Sequence, residues 1–459
     1  MKKVLLIAIA RRDPPFFIKI IQKLDKQYNF TVLNLYEPGQ KLFKKNNVKS
    51  ITIRDLTANY NSILNKCPIK YSEDEIKNNI RHEALTFNDK NTENHVRKLL
   101  KYTALIYYFL RDLKPEYVVQ ELGGFIAPLS IFNVCKILHI KHFFIEPMPF
   151  KGRIAFIEDC LSYRVPEDNL VKCLEVESYI KDYKNNKFII IPRKDLHHFT
   201  NSNFKKIFNL KNLEKLITKI FNKYVLRKDQ EYDAILNHIK RSILSILNRL
   251  TIKKYYVSNL DLDYGGKIIF YPLHVPLDFQ LTVRSPEYLD QIDFLESLLH
   301  QLPKDVVLWV KEHPAAIGAY GEKNLQNLIK KQNFRLFDPA INSYELIKKS
   351  DVVVTINSKV GFEALIHSKP VIVMGQPGYS NQGLTIDLPS GSNINEILVK
   401  IFNNKDTFTP CKIMFTQFMS RLYKLSLPGE LYDLNPENIN QFSNSLANAF
   451  ENNITLKDS

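Results

Sequence analysis

Residues 350–365 read Ser350-Asp351-Val352-Val353-Val354-Thr355-Ile356-Asn357-Ser358-Lys359-Val360-Gly361-Phe362-Glu363-Ala364-Leu365, and Lys369-Pro370-Val371 follows shortly after. Val352 to Ile356 is an unbroken apolar or β-branched run, as a parallel strand buried on both faces requires. It enters a polar turn in which Ser358 stands where a helix N-cap belongs. The helix expected from Lys359 to His367 starts with unpaired N–H groups, and those donors and the helix dipole together favour a phosphate. Gly361, in the first turn, leaves room for backbone or ligand to come close. A plain capped helix in any doubly wound sheet has the same pattern, so the stretch indicates the α/β class more firmly than it indicates a site.

Working outward, the same alternation recurs on both sides. Strands are expected at Lys267 to Tyr271, Val306 to Val310, Phe334 to Phe337 and Val371 to Gly375, with helices at 289–299, 325–331 and 343–349. An earlier series begins with the strand Lys3 to Ala10, the helix Phe16 to Leu24 and the strand Phe30 to Leu35. It continues through the helix Leu99 to Leu113, the strand Tyr117 to Gln120, the helix Ala127 to Leu138 and the strand His142 to Ile145. Strands alternating with helices predict open parallel sheets with sites at the carboxyl ends of the strands. The expected organisation is an α/β domain over 1–174, a basic helical insert over 175–260, a second α/β domain over 261–385 and a helical closing segment over 386–459.

Composition sets outer limits. The 459 residues are 45% hydrophobic and 24% charged, an ordinary globular balance for two or three domains. No apolar run approaches the roughly 20 residues that span a bilayer. The opening Met1-Lys2-Lys3 and Val4 to Ala10 lack a small-residue cleavage site before Arg11-Arg12, so they read as a first strand rather than a signal peptide. Five scattered cysteines without ligand or redox spacing suit reduced thiols and a cytoplasmic protein. The net charge of +16 suits an anionic partner such as a nucleotide, an acidic glycan or a membrane surface, and equally a solvated surface. Nucleic acid is not expected, because no stacking platform or recognition motif accompanies the charge. Walker and G-x-G-x-x-G fingerprints are absent. Asp261-Leu262-Asp263, a possible metal-binding pair of acids, reads rather as surface loop before Tyr264-Gly265-Gly266, His197-His198 lacks a third ligand, and no metal site is expected.

Three further stretches carry candidate chemistry. Trp309-Val310-Lys311-Glu312-His313-Pro314 ends a strand with a cation and an imidazole, either of which can meet a phosphate, although His-Pro is also a common turn. His313 precedes Ser358 by about forty-five residues, which suits two turns on one sheet edge. Between them, Glu345 is a candidate for the hydroxyls of a ribose, with Glu363 its rival. Tyr271-Pro272-Leu273-His274-Val275-Pro276-Leu277-Asp278-Phe279-Gln280-Leu281 sets Asp278 in apolar company, where a pKa is tuned, or where an Asp simply caps the next helix. Phe144-Ile145-Glu146-Pro147 places Glu146 at a strand end in the first half, and Glu121 is placed similarly. Carboxylates such as Glu146 and Asp278, if paired across a cleft, can serve glycosyl chemistry.

Together these motifs resemble the bacterial capsule polysaccharide biosynthesis family, which includes β-Kdo transferases. The resemblance rests on Pro272-Leu273, Asp278-Phe279-Gln280-Leu281, Ser285-Pro286, Lys311, His313-Pro314 and Ser358 with Gly361-Phe362-Glu363-Ala364-Leu365 and Lys369-Pro370-Val371. The His-Pro and Ser motifs are also similar to those of bacterial sialyltransferases. The resemblance implies a GT-B-like fold of two Rossmann-like domains facing a central cleft. It implies a CMP-sugar donor, CMP-Kdo, as substrate without a further cofactor, and a glycan or glycolipid acceptor. It places Lys311 near the base, Glu345 on the ribose, and His313, Pro314 and Ser358 about the phosphate. It implies retention, with Asp278 as nucleophile and Glu146 as acid/base. The chain departs from the family pattern at Leu273-His274, where many members have Leu-Gln, and in its long basic insert. UDP- or GDP-sugar transfer, a CMP-sialic-acid-type transferase and a non-catalytic glycan-binding subunit are the alternatives.

Overall fold

The computed structural model describes residues 1–167, 173–185, 210–228, 234–260 and 266–457. His197-His198 and Asp261-Leu262-Asp263 lie outside the described residues. The chain divides into two compact units. One is built on Met1–Leu161 and Lys424–Asp458, with Ile190–His238, and the other on Ile239–Tyr423 with Ser162–Ile189.

The first unit holds strands β1 (Lys2–Ala8), β2 (Tyr28–Asn34), β3 (Ser50–Thr52), β4 (Tyr117–Glu121), β5 (Lys141–Pro147) and β6 (Arg153–Glu158). The second holds β7 (Lys267–Pro272), β8 (Val306–Lys311), β9 (Phe334–Phe337), β10 (Val352–Thr355), β11 (Val371–Val373) and β12 (Ile386–Asp387), and β13 (Leu427–Pro428) returns to the first. The sheet orders are β13-β6-β5-β4-β1-β2-β3 and β12-β11-β10-β7-β8-β9. All pairs of the second sheet are parallel. In the first, only β6 with its two neighbours runs antiparallel. The expected α/β class with parallel sheets is therefore observed. Central strands such as β8 and β10 are buried along their whole length, which is why they stand out as continuous apolar runs.

Strand order reverses between β1 and β4 in the first sheet and between β7 and β10 in the second. The connections leave such a point to opposite faces of the sheet, and the gap at its carboxyl end is where α/β sheets hold ligands.

Two expected boundaries change. The 386–459 stretch is divided: Ile394, Leu398 and Ile401 join the core of the second sheet, whereas Ile439, Phe442, Leu446 and Phe450 join that of the first. There Phe450 stacks on Tyr117 with centroids 4.3 Å apart. The helix Leu174–Lys184 is not part of a free-standing insert either. It belongs to the second unit, where Val176 and Tyr183 are buried and Tyr183 meets the Tyr344 ring at 5.5 Å.

Candidate functional site

At the carboxyl end of β10, Ser358 adopts the extended conformation of an N-cap, and its Oγ accepts from Val360 N at 3.2 Å. Its own N–H donates to Thr355 Oγ1 at 3.2 Å, and Tyr379 Oη donates to its carbonyl at 2.6 Å. The helix it caps runs Lys359–Ile366. Gly361 has a different purpose from the one its sequence suggests. A Cβ there would lie 2.2 Å from Tyr379 Oη and 2.9 Å from Thr355 Cγ2, so the space is taken by the tyrosine and the β10 threonine.

The adjoining Asn357 ties the switch point together. Its Nδ2 donates to Gln280 O at 2.8 Å and to Ser285 Oγ at 2.9 Å, and its Oδ1 accepts from Gln376 N at 2.8 Å. Its backbone N–H donates to His274 Nε2 at 3.1 Å. One asparagine thus joins the segments that follow β7, β10 and β11. Sequence reading passes over it because its partners lie 72 to 83 positions upstream and 19 downstream.

His274 is buried just beyond β7, and Gln291 brackets it by accepting from its N–H at 2.8 Å and donating to its carbonyl at 3.3 Å. Burial, then the nearby His313, lowers its pKa to about 4. A neutral imidazole is also what accepting through Nε2 requires. An imidazole that stays neutral when folded but charges when unfolded gives its full stabilisation above pH 6.5 and loses it as pH falls toward about 4. Relative to wild type, His274→Gln should therefore flatten the stability profile between those limits, by up to about 3 kcal/mol. Urea melts at pH 7 and pH 4.5 measure this, and parallel profiles for the two proteins would contradict the assignment.

At the end of β8, Lys311 is buried and its Nζ donates to Ile341 O at 2.6 Å and Ser343 Oγ at 3.0 Å. Burial lowers its pKa to about 8. These bonds anchor the turn that leads into the helix Ser343–Lys349, which carries Glu345. Glu312 points into the protein, accepting from Tyr256 Oη and from Gly318 N at 3.0 Å, and burial raises its pKa to about 7. His313 caps the short turn Pro314–Ala316, its Nδ1 accepting from Ala315 N at 3.1 Å. That bond puts the proton of a neutral His313 on Nε2 and makes Nε2 a donor.

Glu345 is half-buried and pairs with Lys348 at 3.5 Å. Its rival Glu363 is buried in the helix Lys359–Ile366, with a pKa raised to about 7 by burial and drawn down by Lys359 and Lys311. Asp278 is the N-cap of the turn Phe279–Thr282, its Oδ1 accepting from Gln280 N at 2.8 Å. Its capping role is thus observed. It also sits two residues from Gln280, whose carbonyl Asn357 holds, so Asp278, His274, His313 and Ser358 all stand around the β7–β10 switch point.

In the first unit Glu146 is half-buried near the end of β5, opposite Ala155. Glu158, ending β6, is tied to Thr455 at 2.9 Å and Lys457 at 3.1 Å. At this unit's own switch point Tyr432 Oη donates to Glu121, and Asp13 accepts from Ala10 N at 2.8 Å. Burial, with the Glu121 charge adding to it, raises the Asp13 pKa to about 7. Among the described residues, no three His, Cys, Asp or Glu side chains gather as a metal site.

Residues 187–407 match the family described as capsule polysaccharide biosynthesis protein. Protein FixF of Sinorhizobium fredii is 32% identical over 146 residues, 31% of this chain and 34% of FixF. The capsule polysaccharide export protein KpsS of Escherichia coli is 33% identical over 121 residues, 25% of this chain and 31% of KpsS. The chain therefore spans about a third of the length of these relatives. A solved structure of the β-Kdo 2,7 transferase KpsC of Thermosulfurimonas dismutans is 12% identical, with 98% of this chain and 100% of that chain covered and a TM-score of 0.39.

Proposed function

We propose, for a chain whose residues 187–407 carry the capsule polysaccharide biosynthesis pattern, that it is a glycosyltransferase of GT-B type. It binds a nucleotide-sugar donor on the second unit and transfers the sugar to a surface glycan or glycolipid, at the cytoplasmic side of the membrane. The observation that carries this reading is the β7–β10 switch point. There the capped start of the helix Lys359–Ile366 stands on a loop that Asn357 joins to His274 and Gln280, and His313, with Nε2 as donor, follows the neighbouring strand β8. Helix N–H donors and an imidazole N–H are suited to the charge that grows on a departing phosphate.

The donor in this reading is CMP-Kdo. His313 and Ser358 meet the single phosphate, Pro314 shapes the turn that presents His313, and Glu345 accepts from the ribose. Lys311, with two of its hydrogen bonds made to Ile341 and Ser343, fixes the approach to Glu345 as well as lying near the base. Transfer proceeds with retention. The Asp278 carboxylate bonds to the anomeric carbon as the bond to the phosphate oxygen breaks and CMP departs. The acceptor hydroxyl then displaces Asp278 and gives its proton to a general base.

A nucleotide panel in a thermal-shift assay tests the donor. CMP should raise the melting temperature more than UMP, UDP or GDP, with about 2.7 kcal/mol of stabilisation at a hundredfold over its dissociation constant. A preference for UDP would replace the CMP reading by the UDP-sugar alternative. His313→Ala and Ser358→Ala should each weaken CMP binding by roughly 1.5–3 kcal/mol, the worth of a hydrogen bond to a charged group. Unchanged binding in both would reduce the two motifs to turns.

A further inference from the structure

The helix Ile235–Ile252, sequence ILNHIKRSILSILNRLTI, is amphipathic; Ile235 and Ile252 are buried, and polar residues of the same helix also pack against the protein. Asn248 Nδ2 donates to Gly318 O at 3.0 Å. A Cβ on Gly318 would lie 2.1 Å from Ser245 O, so the backbone of this helix rests directly on that loop. The charge of Arg249 acts on buried Glu312. Leu236, Ile243, Leu244, Leu247 and Leu250 are 67%, 53%, 45%, 54% and 61% exposed. At 100° per residue these five fall in one outward stripe. Surface helices ordinarily turn such a stripe to the core, and a contiguous exposed apolar patch marks an interaction surface.

The charge around the stripe selects the partner. Lys240 lies within it, and Lys253 and Lys254 follow the helix, all three exposed. From Ile235 to Leu260 there are five Lys or Arg and no Asp or Glu. A second copy docking through the same face would set these cations against each other across a two-fold axis. An anionic bilayer accepts both the aliphatic stripe and the cations. Among the described residues no helix is long and apolar enough to cross a membrane, so this one would lie in the interface.

We propose that the helix Ile235–Ile252 docks the protein on an anionic membrane surface, its leucine-rich stripe entering the headgroup boundary while Lys240 and Lys253 meet lipid phosphates. The inference does not rest on the transferase reading, because vesicle binding needs neither donor nor acceptor.

Co-sedimentation of the full chain with vesicles tests it. Binding to phosphatidylglycerol–phosphatidylcholine vesicles should exceed binding to phosphatidylcholine alone by about tenfold or more, and should fall with salt. The triple variant Ile243→Ser, Leu247→Ser, Leu250→Ser should lose about tenfold in vesicle binding while keeping the wild-type melting temperature. If that variant fails to fold, Lys240→Glu with Lys253→Glu should give the same loss. The proposal is overturned if wild type ignores anionic vesicles or if the folded variants bind them as wild type does. It is equally overturned if the substitutions only convert a dimer to a monomer, which would make the stripe a contact between copies.

Discussion

Asp278→Asn should lower sugar transfer by about a thousandfold or more, the scale on which removal of a nucleophile acts, and leave CMP binding intact. The capping role of Asp278 makes asparagine the informative replacement. Asparagine keeps an oxygen for Gln280 N, so the turn Phe279–Thr282 is preserved while the attacking carboxylate is lost. Asp278→Ala removes both, and should add about 1 kcal/mol of destabilisation to the same loss of activity. Incubated with donor alone, wild type should gain the mass of one sugar on a peptide containing Asp278. Full activity in Asp278→Asn would remove the residue from the chemistry and leave it a helix cap. An inactive variant without any adduct in wild type would make it a general base in an inverting reaction.

Asn357→Ala should cost about 3 kcal/mol of stability. Three side-chain hydrogen bonds are lost, one of them buried and two partly buried, and Gln376 N, Ser285 Oγ and Gln280 O lose that partner. For a unit of this size that corresponds to roughly 6–12 °C in melting temperature. The same variant should weaken CMP stabilisation, because the loops that present Ser358 and Asp278 are no longer joined. A melting temperature within about 1 °C of wild type would contradict the role given to Asn357.

The difference between these two residues shows which features the chain reveals locally. Buried parallel strands announce themselves, since β8 and β10 are apolar at nearly every position. The Ser358 cap is equally local, its partner lying two residues ahead. By contrast β13 is two residues long and pairs with Ile154 and Arg153 from the far end of the chain, so neither it nor the antiparallel β6 has a local signature. Asn357 and Lys311 are polar residues beside strand ends whose partners are set by topology. The spacing that suggested a phosphate contact for Lys311 carries no information about Ile341 O, thirty positions on. Nor does helical periodicity say which face turns inward. The basic insert draws attention to its charge, whereas in the helix Ile235–Ile252 the apolar stripe is the outward side.

Glu363 illustrates how burial reassigns a residue. In sequence it competes with Glu345 for a ribose. In the fold it is buried with a pKa near 7, while Glu345 is partly exposed beside Lys348. The partly exposed position is the one from which a carboxylate can reach two ribose hydroxyls.

The most direct measurement is release of CMP from CMP-Kdo by the purified chain, followed against UDP- and GDP-sugars under the same conditions. CMP release should exceed the protein-free rate, rise with a glycan or glycolipid acceptor and be abolished in Asp278→Asn. Release of UDP or GDP from their sugars with CMP-Kdo left intact would contradict the CMP-donor reading.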